Sequence, residues 1–386
     1  MSYVERTLEK VLPLQDKKRA FVIYGSRQVG KTTLIEHLAE GREAQFLSGD
    51  YSSDVALLRD ESATPMLLSR EFLVIDEAQK VPDIGLIIKR LVDRRSGCTI
   101  MVTGSSSLRL SGGVRESAVG RTDSYRLWPL SLSEIATASS WVEVQRTISD
   151  RMIYGCYPAV VTETKPEKRL QEILDGYLFK DIFELAGVRK STPFMNLVTL
   201  LAQSVGSEVT YEGLGKRSGL SKATVIGYID LLEQCFIVKR LPSFSRSVAT
   251  ELRKGKKIYF VDTGIRNAVL GDFSPLTNRA DRGALWENLF VMERIKLHDY
   301  AEDGARAFFW RTAGKKEIDF LEERNGQLTA FECKFSKGGK KDARVPLVFA
   351  RAYPGSRFAV VSPMDAFKVL DSAVESFSRP VGEADS

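Results

Sequence analysis

The chain has 386 residues, of which 43% are hydrophobic and 27% charged, a balance that excludes a disordered or collagen-like polymer. Its length favours two or three domains over one, and its net charge of +6 fits contact with a polyanion as well as an ordinary solvated surface. Four separate cysteines and only two histidines argue against a disulfide scaffold, a zinc finger and a histidine-bound metal.

The first ten residues carry four charged side chains and no apolar leader segment. No run of about 18 uncharged apolar residues follows in the rest of the sequence. These features predict a cytoplasmic protein with reduced thiols and without a membrane partner.

Residues 1–140 alternate short apolar runs with helical stretches. The apolar runs at residues 20–24, 45–47, 72–75 and 99–102 have the length and composition of buried strands. Because strands that alternate with helices join into βαβ units, this region predicts a parallel, doubly wound α/β sheet. From residue 141 to about residue 205 the pattern becomes mostly helical, which predicts a helical connector.

A glycine-rich segment follows the first predicted strand and precedes a predicted helix. Its sequence GSRQVGKT satisfies the pattern G-x-x-x-x-G-K-[ST], which wraps backbone N–H groups around a β-phosphate. Lys31 is then expected to neutralise the β- and γ-phosphates, and Thr32 to place its hydroxyl on Mg²⁺, so ATP and Mg²⁺ are the predicted cofactors. The predicted nucleotide-binding residues are Gly25, Ser26, Arg27, Gln28, Val29, Gly30, Lys31, Thr32, Thr33, Asp76 and Ser105.

Two carboxylates, Asp76 and Glu77, follow the strand predicted at residues 72–75. A buried parallel strand of this kind ends beside the phosphate loop, so Asp76 suits a Mg²⁺-binding role and Glu77 suits the general base that polarises an attacking water. This pair predicts hydrolysis rather than nucleotide binding alone. The next strand ends in TGSS, where Ser105 could sense the γ-phosphate; a Ser/Gly loop without that role is the alternative.

Several stretches of sequence resemble one known family. In the first 140 residues they are GSRQVGKTTL, FLVIDEAQKV, TGSSS and GRTDSYRLWPLSLSEI, and YGCYP and YLFKDIFEL extend the resemblance to residue 185. Together they resemble prokaryotic AAA-type P-loop ATPases that carry a C-terminal winged-helix and nuclease-like domain. The resemblance implies an arginine finger at Arg121 that acts in its own subunit or, in a homo-oligomer, on a neighbouring one. A surface or structural arginine is the alternative.

Residues 206–241 are predicted to form two short helices around a glycine turn, followed by a wing strand at residues 236–241. Ser221 is the predicted N-cap of the second helix, and a basic run at residues 253–257 lies just beyond the wing. The outward side chains expected to contact DNA are Lys216, Arg217, Lys222, Thr224 and Tyr228. A winged helix used only for domain packing is the alternative, because nearby acidic residues dilute the positive charge.

Two alternating segments, 317–321 and 331–335, flank an Asn-Gly pair at residues 325–326. Asn-Gly favours a two-residue β-hairpin turn, which places Asp319 opposite Glu332 and Glu317 opposite Lys334. Because opposed carboxylates repel one another, they require a compensating positive charge, and Mg²⁺ would supply it. The alternative is that lysines simply pair with the carboxylates on a solvated strand face.

The order D-x12-E-x-K in this hairpin resembles the PD-(D/E)xK nuclease core. Glu287, on the predicted helix at residues 284–292, matches the further acidic residue of that fold. The resemblance implies phosphodiester hydrolysis, with Asp319, Glu332 and Lys334 as catalytic residues. It also implies a metal site formed by Glu287, Asp319 and Glu332.

The sequence as a whole predicts an α/β fold with four domains. They are an AAA-type P-loop NTPase domain with a parallel sheet (1–140), a helical connector (141–205), a winged helix (206–255) and a mixed α/β, restriction-endonuclease-like domain (256–386). The predicted function is ATP binding and hydrolysis in a protein that acts on DNA and has a metal-dependent nuclease-like domain. The alternative is a nucleotide-dependent regulatory switch whose C-terminal half binds protein partners and does not cleave nucleic acid.

Overall fold

A computed structural model of the chain describes residues 3–94, 97–104, 118–176, 182, 192–245, 255–312, 314–336, 344–370 and 378–381. The chain divides into two units by its contacts. The N-terminal unit comprises Arg6–Trp128 with the short segment Gln234–Phe236, and the C-terminal unit comprises Met1–Glu5, Pro129–Glu233 and Ile237–Ser386. Ser105, predicted to sense the γ-phosphate, lies outside the described residues.

A parallel sheet forms the centre of the N-terminal unit. Its strands are β1 Ala20–Tyr24, β2 Ala44–Ser48, β3 Phe72–Asp76, β4 Thr99–Gly104 and β5 Thr122–Arg126. They lie in the order β2-β3-β4-β1-β5, and all neighbours are parallel. The four predicted strands are confirmed, because continuous apolar runs are typical of parallel strands covered on both faces. The edge strand β5 was not predicted, since its sequence TDSYR is polar and only partly buried.

Helices precede or connect these strands: α1 Thr7–Val11, α2 Lys31–Ala39, α3 Ser52–Arg59, α4 Thr64–Leu67 and α5 Ile84–Asp93. Helix α5 illustrates why they pack on the sheet. Ile84, Ile87, Ile88 and Leu91 follow the i, i+3, i+4, i+7 spacing and are buried. They belong to the same apolar cluster as Leu73 of β3. Burial of each such side chain contributes about 1.5–3 kcal/mol.

The C-terminal unit begins with short helices: α6 Leu132–Ala138, α7 Trp141–Arg146, α8 Ile148–Tyr154, α9 Pro158–Val161 and α10 Pro166–Leu174. The YGCYP segment joins α8 to α9. A side chain at Gly155 would collide with the buried carboxylate of Asp262, so glycine is required there. Asp262 accepts a hydrogen bond from the Cys156 N–H at 2.7 Å, which fixes this segment to the helix that Asp262 caps.

The helix-turn-helix region, residues 192–260, follows. It contains helices α11 Thr192–Gln203, α12 Tyr211–Ser218 and α13 Lys222–Gln234 and strands β6 Glu208–Val209, β7 Val238–Pro242 and β8 Lys256–Phe260. The strands form an antiparallel sheet in the order β6-β8-β7. Gly219, at φ +77°, ends α12, and Ser221 caps α13 by accepting the Thr224 N–H. Strand β8 belongs to this sheet, although it follows the boundary predicted at 255/256; the division into domains stays a prediction.

The remainder of the C-terminal unit is a mixed α/β fold. Its elements are α14 Thr263–Leu270, α15 Arg282–Ala301, β9 Arg306–Arg311, β10 Glu317–Arg324, β11 Gln327–Cys333, α16 Leu347–Ala352, β12 Arg357–Val361, α17 Ala366–Leu370 and β13 Arg379–Pro380. The sheet order is β13-β12-β11-β10-β9, with only the β11–β12 pair parallel. Helix α15 is buried along most of its length, and its Phe290 contacts Phe320 and Phe331 of the sheet.

The predicted hairpin joins β10 to β11. Asn325 and Gly326 have φ values of +51° and +80°, as a two-residue type I′ turn requires. The register pairs Arg324 with Gln327 and continues to Phe320 opposite Phe331, in agreement with the predicted pairing. Just beyond this ladder, Asp319 Oδ2 accepts a hydrogen bond from the Cys333 N–H at 2.8 Å.

Two further findings concern the cysteines and the helices. The four cysteines are free thiols, and three of them are buried. Within the part of the chain that the structure describes, no helix is both long enough and apolar enough to cross a bilayer.

Candidate functional site

The phosphate loop, residues 25–30, joins the carboxyl end of β1 to the start of α2. Gln28 and Gly30 adopt left-handed backbone conformations, with φ of +61° and +92°. A Cβ at Gly25 would collide with the carbonyl oxygen of Leu127, so glycine is required there as well. Because the first N–H groups of a helix have no acceptor within the helix, the start of α2 presents an anion-binding site at this loop.

The charged and hydroxyl side chains at the loop are those that the motif predicts. Lys31 Nζ donates hydrogen bonds to the carbonyl oxygens of Gly25, at 3.1 Å, and Ser26, at 2.9 Å. Thr32 Oγ1 donates to Asp76 Oδ2 at 2.9 Å. Since Mg²⁺ prefers oxygen ligands, this pair of hydroxyl and carboxylate groups fits the predicted cation.

Asp76 is oriented by two further donors. The Thr103 hydroxyl donates to Asp76 Oδ1, and the Glu77 N–H donates to the same oxygen at 2.9 Å. Thr103 is fully buried at the end of β4, the strand next to β3. The TGSS segment therefore contributes at least one side chain to this site, and that residue is Thr103.

Glu77, the predicted general base, has a left-handed backbone with φ +48°. This conformation costs a residue other than glycine about 1–2 kcal/mol, so the surrounding structure must stabilise it. The Gln79 side chain donates to the half-buried Glu77 carboxylate, and Gly49 packs directly against the Glu77 carbonyl oxygen. Gln79 lies within the FLVIDEAQKV segment but was not among the predicted site residues.

Arg6 is a second residue that the sequence analysis missed. Its buried guanidinium donates to the Val29 carbonyl oxygen at 2.8 Å and to the Trp128 carbonyl oxygen at 2.6 Å. Arg6 thereby connects the phosphate loop to the segment after β5. No sequence signal could have found it, because it precedes the loop motif and has no fixed spacing from it.

Arg121 lies at the amino ends of the strands, whereas the phosphate loop lies at their carboxyl ends. Its carbonyl oxygen accepts the Ala20 N–H at 2.9 Å, level with the amino end of β1. Strand β1 has five residues, a length of about 17 Å, and the loop follows its other end. Arg121 Nε pairs with Asp93 Oδ1 at 2.7 Å. The structure thus places Arg121 away from the phosphate loop of its own subunit, and the arginine finger stays a prediction.

Arg126, the last residue of β5, lies at the carboxyl ends of the strands, where the phosphate loop begins. It pairs in register with Tyr24, the last residue of β1 before the loop. Its guanidinium carbon lies 4.8 Å from the Trp128 ring centre and 5.8 Å from the Tyr24 ring centre. Arg126 belongs to the same GRTDSYR segment as Arg121, but only the observed length of β5 identifies it.

The residues predicted to contact DNA lie on α12 and α13. Lys216 and Arg217 are exposed, and Lys222 forms an ion pair with Glu212. Thr224 hydrogen-bonds the Ser221 hydroxyl at 2.8 Å. Tyr228 differs from the prediction of an outward side chain, because its ring packs edge-on against Phe194, with ring centres 5.1 Å apart.

Four acidic side chains of the C-terminal unit form the carboxylate cluster: Glu287, Glu317, Asp319 and Glu332. A lysine that the prediction did not include, Lys257, contacts this cluster. The Lys257 side chain is 0% exposed. Its Nζ lies 2.9 Å from Glu287 Oε1, 2.6 Å from Glu317 Oε1 and 3.8 Å from Asp319 Oδ1. A single ammonium from β8 therefore contacts carboxylates from both α15 and β10.

Other protein groups donate to the same carboxylates. Lys334 Nζ donates to Glu332 Oε1 at 2.6 Å, and the Tyr259 hydroxyl donates to Glu287 Oε1 at 2.6 Å. Among the described residues, no group of three or more His, Cys, Asp and Glu side chains is arranged to hold a metal ion. The predicted Mg²⁺ site of Glu287, Asp319 and Glu332 does not fit this arrangement. Lysines supply the compensating charge: Lys334, which the alternative interpretation included, and the buried Lys257, which it did not.

The pKa shifts in the cluster have clear physical causes. Burial raises the pKa of the Glu287 carboxyl to about 7, because the loss of solvent outweighs the attraction of Lys257. Burial lowers the pKa of the Lys257 ammonium, but Glu287, Asp319 and Glu317 raise it more, so it lies above its ordinary value. Burial and the charge of Asp319 raise the pKa of Glu332. Lys257 is therefore charged at neutral pH.

The sequence indicates that Lys257 lies on a polar strand face, but not which acids it contacts. Lys257 is the last residue of the basic run at residues 253–257, but the alternation in β8 places Lys257 and Tyr259 on the face opposite Ile258 and Phe260. That pattern gives a polar face to a strand that is buried from Lys257 to Phe260. The acids that it meets lie on later elements, which the sequence alone does not bring together.

Comparisons with known proteins match three parts of the chain. Residues 17–136 match a family described as an AAA domain, and residues 145–276 and 282–374 match two domains of unknown function, DUF8612 and DUF4143. An uncharacterized protein of Mycobacterium tuberculosis is 28% identical over 351 residues, which cover 86% of this chain and 76% of that protein. An uncharacterized protein of Haemophilus influenzae is 25% identical over 359 residues, with 86% of each chain covered.

Among solved structures, a Walker-type ATPase of Pyrococcus abyssi is 13% identical, with 69% of this chain and 94% of that chain covered and a TM-score of 0.46. The AAA-domain match is more informative, because it includes the phosphate loop and all the strands of the N-terminal sheet. This match agrees with the contacts of Lys31, Thr32 and Asp76. The N-terminal unit thus has the parallel sheet of a P-loop NTPase fold and a sequence match to an AAA domain, and these findings support ATP binding and hydrolysis.

Proposed function

We propose that this protein hydrolyses ATP at the phosphate loop and couples hydrolysis to the binding of DNA by its C-terminal unit. The observation that carries the ATPase part is the Thr32–Asp76 hydrogen bond, with Glu77 as the next residue of the chain. This hydrogen bond places the oxygens of Thr32 and Asp76, which can bind a cation, next to the candidate base Glu77 at the end of β3. The phosphate loop lies beside them.

Each of these residues has a distinct role in the proposal. Lys31 exchanges its carbonyl acceptors for the β- and γ-phosphates, and the N–H groups at the start of α2 bind the same anion. Glu77 accepts a proton from the attacking water. Thr32 and Asp76 would hold Mg²⁺, which supplies positive charge to the phosphoryl oxygens.

The DNA part of the proposal is supported by the helix-turn-helix region. Its element order and its antiparallel sheet of order β6-β8-β7 fit a winged-helix domain. Lys216 and Arg217 are exposed at the end of α12, next to the turn into α13. Exposed cations in this position bind backbone phosphates and orient a helix on DNA.

The main experiment measures the ATPase rate of the full chain with single-stranded, double-stranded and branched DNA at low salt. We expect at least one of these to increase the rate, and Lys31→Ala to abolish both basal and stimulated hydrolysis. No DNA affinity at low salt together with no stimulation would contradict the DNA part while leaving the ATPase part intact.

A matched pair of variants tests the DNA surface itself. Replacing Lys216 and Arg217 by Gln should weaken DNA binding and lower the slope of log affinity against log salt by about 2, because two phosphate contacts are lost. Replacing Lys165 and Lys168, which are exposed at the start of α10, by Gln removes the same charge elsewhere. Equal losses in both variants would indicate a nonspecific charge effect.

We also propose a nuclease-like fold for the α/β part that follows β8. The mixed sheet, the buried helix α15 with Glu287, and Asp319 and Glu332 on a hairpin fit that fold. Binding without cleavage is the role that its geometry favours, because Lys257 and Lys334 already neutralise the carboxylates.

A homo-oligomer forms part of the proposal because of Arg121. The side chain is 34% exposed at the amino edge of the sheet, where only another subunit could offer it a nucleotide. Arg121→Ala should reduce hydrolysis without reducing nucleotide affinity, and the specific activity of the wild type should rise with protein concentration. A specific activity that is independent of concentration would contradict this part.

The second candidate function is a nucleotide-dependent switch whose C-terminal unit binds a protein. The observation that favours it is the neutralisation of cations in the helix-turn-helix region: Arg240 contacts Asp230 and Glu233, each at 2.6 Å, and Lys222 contacts Glu212. If ATP turnover persists and no form of DNA changes it, this candidate replaces the first.

A further inference from the structure

The Lys257 ammonium lies inside the protein, among carboxylates that were predicted to bind a metal. It is 0% exposed, and its distances to Glu287, Glu317 and Asp319 run from 2.6 to 3.8 Å. The ring centre of Phe309 lies 5.7 Å from Nζ. The ammonium therefore occupies the position in which a cation would contact these acids.

The buried Lys257 ammonium and the carboxylates around it stabilise one another. A buried ammonium is stable only when carboxylates pair with it, since it has given up its hydration. The carboxylates of Glu287, Glu317 and Asp319 would in turn repel one another without a cation among them. Lys257 satisfies both requirements with a covalently attached charge.

A metal ion would have to displace contacts that the fold already makes. Mg²⁺ binds carboxylate oxygens at about 2.0–2.1 Å. Glu287 Oε1 already accepts hydrogen bonds from Lys257 at 2.9 Å and from Tyr259 at 2.6 Å. The other oxygen, Oε2, faces Gly206, where an added Cβ would lie 3.1 Å away, so the backbone limits the space on that side.

The same contacts join separate parts of the C-terminal unit. Lys257 lies in β8, the central strand of the sheet in the helix-turn-helix region, whereas Glu287 lies on α15 and Glu317 on β10. Arg311 of β9 adds a parallel connection, because it contacts Glu208 of β6 at 2.9 Å and Glu317 at 3.6 Å. The ion pairs thus connect the small sheet to the larger one.

We propose that the Lys257 ammonium is the resident cation of the carboxylate cluster, in place of a catalytic metal ion. The C-terminal unit then binds its ligand without metal-dependent cleavage, and Lys257 is a positioning residue that fixes the helix-turn-helix sheet to the nuclease-like fold. This inference deepens the proposed role of the C-terminal unit and is independent of ATP hydrolysis at the loop.

The first test measures Mn²⁺ binding to the full chain without nucleotide, by electron paramagnetic resonance, in the wild type and in Asp319→Asn. We expect both proteins to bind the same number of Mn²⁺ ions, and neither to cleave DNA with Mg²⁺ or Mn²⁺. One additional Mn²⁺ in the wild type, or cleavage that Asp319→Asn abolishes, would overturn the inference. ATP turnover, measured in parallel, reports on the loop alone.

The second test removes the ammonium. Lys257→Met keeps most of the side-chain volume but leaves the carboxylates without their cation, so we expect one additional Mn²⁺ per chain and a Mn²⁺-dependent rise in Tm. Adding Asp319→Asn to Lys257→Met should remove both gains, and Lys168→Met, an exposed lysine, should produce neither. A folded Lys257→Met that gains no Mn²⁺ would contradict the inference; if this variant does not fold, the wild-type comparison with Asp319→Asn still decides.

Discussion

The phosphate loop and the carboxylate cluster both contain lysines and carboxylates close to strand ends, but they balance their charges in different ways. At the loop, Lys31 donates to main-chain carbonyls and Thr32 donates to Asp76, contacts that a nucleotide and its cation can replace. In the cluster, Lys257 already contacts three carboxylates. The difference teaches that residue types do not by themselves define a ligand site, since the partners that the fold supplies decide the outcome.

The two regions also differ in what determines their shape. The loop is shaped by its backbone, through the left-handed Gln28 and Gly30 and the close approach of Gly25 to Leu127. The cluster is shaped by side chains from β8, α15 and β10. Substitutions should therefore affect ligand binding and catalysis at the loop, and stability at the cluster.

The largest expected effect is that of Lys31→Ala on ATP hydrolysis. We expect a loss of about 10²-fold or more, because the substitution removes the positive charge aimed at the phosphates. Phosphate release at saturating ATP measures it. The matched control is Lys89→Ala, an exposed lysine on α5, which should hydrolyse ATP at the wild-type rate. Turnover retained in Lys31→Ala would remove the loop from the mechanism.

Glu77→Gln should separate binding from hydrolysis. The amide keeps the size of the side chain but cannot accept a proton from water, so we expect about a 10²-fold loss of turnover with nucleotide affinity unchanged. Turnover and binding of a fluorescent ATP analogue are measured side by side. Glu36→Gln, an exposed carboxylate on α2, is the control. If Glu77→Gln hydrolyses ATP normally, another group activates the water.

Glu287 determines how the cluster responds to pH. Folding raises its pKa from 4.5 to about 7, so between these values the folded protein binds more protons than the unfolded one. The stability that this carboxyl contributes is greatest below pH 4.5 and falls as the pH rises to 7. We expect the unfolding free energy of the wild type, relative to Glu287→Gln, to fall by about 1–3 kcal/mol over this window.

Urea denaturation of both proteins at a series of pH values measures this change. Glu36→Gln serves again as the control for loss of an exposed carboxylate. A difference between the wild type and Glu287→Gln that stays constant from pH 4.5 to pH 8 would mean that Glu287 is not the titrating group of the cluster.

The sequence predicted those features that depend on neighbouring residues. The four apolar strands, the glycine-rich loop and the Asn325-Gly326 turn are local patterns with fixed geometry, and each was found where expected. The edge strand β5 was missed because its polar sequence lacks an apolar run. Because β5 was not predicted, the sequence could not show that Arg121 precedes a strand and so lies at the amino ends of the sheet, away from the loop.

The features that escaped prediction depend on contacts between distant residues. Arg6 reaches Val29 and Trp128, which are separated from it by 23 and 122 positions. Lys257 meets Glu287 and Glu317 only because β8 lies beside α15 and β10 in the folded unit. The hairpin pattern correctly required a positive charge near Asp319, but whether a lysine or a metal provides it is a property of tertiary packing.

The smallest expected effect compares two glycines of similar backbone conformation. Gly206 has φ +76°, and a Cβ added there would lie 3.1 Å from Glu287 Oε2. Gly271 has φ +64°, and a Cβ added there would meet no atom within 4 Å. Alanine at either position costs about 1–2 kcal/mol for the left-handed backbone. Gly206→Ala must in addition displace Glu287, so its unfolding free energy should be lower than that of Gly271→Ala. Equal losses in urea denaturation would mean that Glu287 can move freely, and the cluster would then have room to accept another cation.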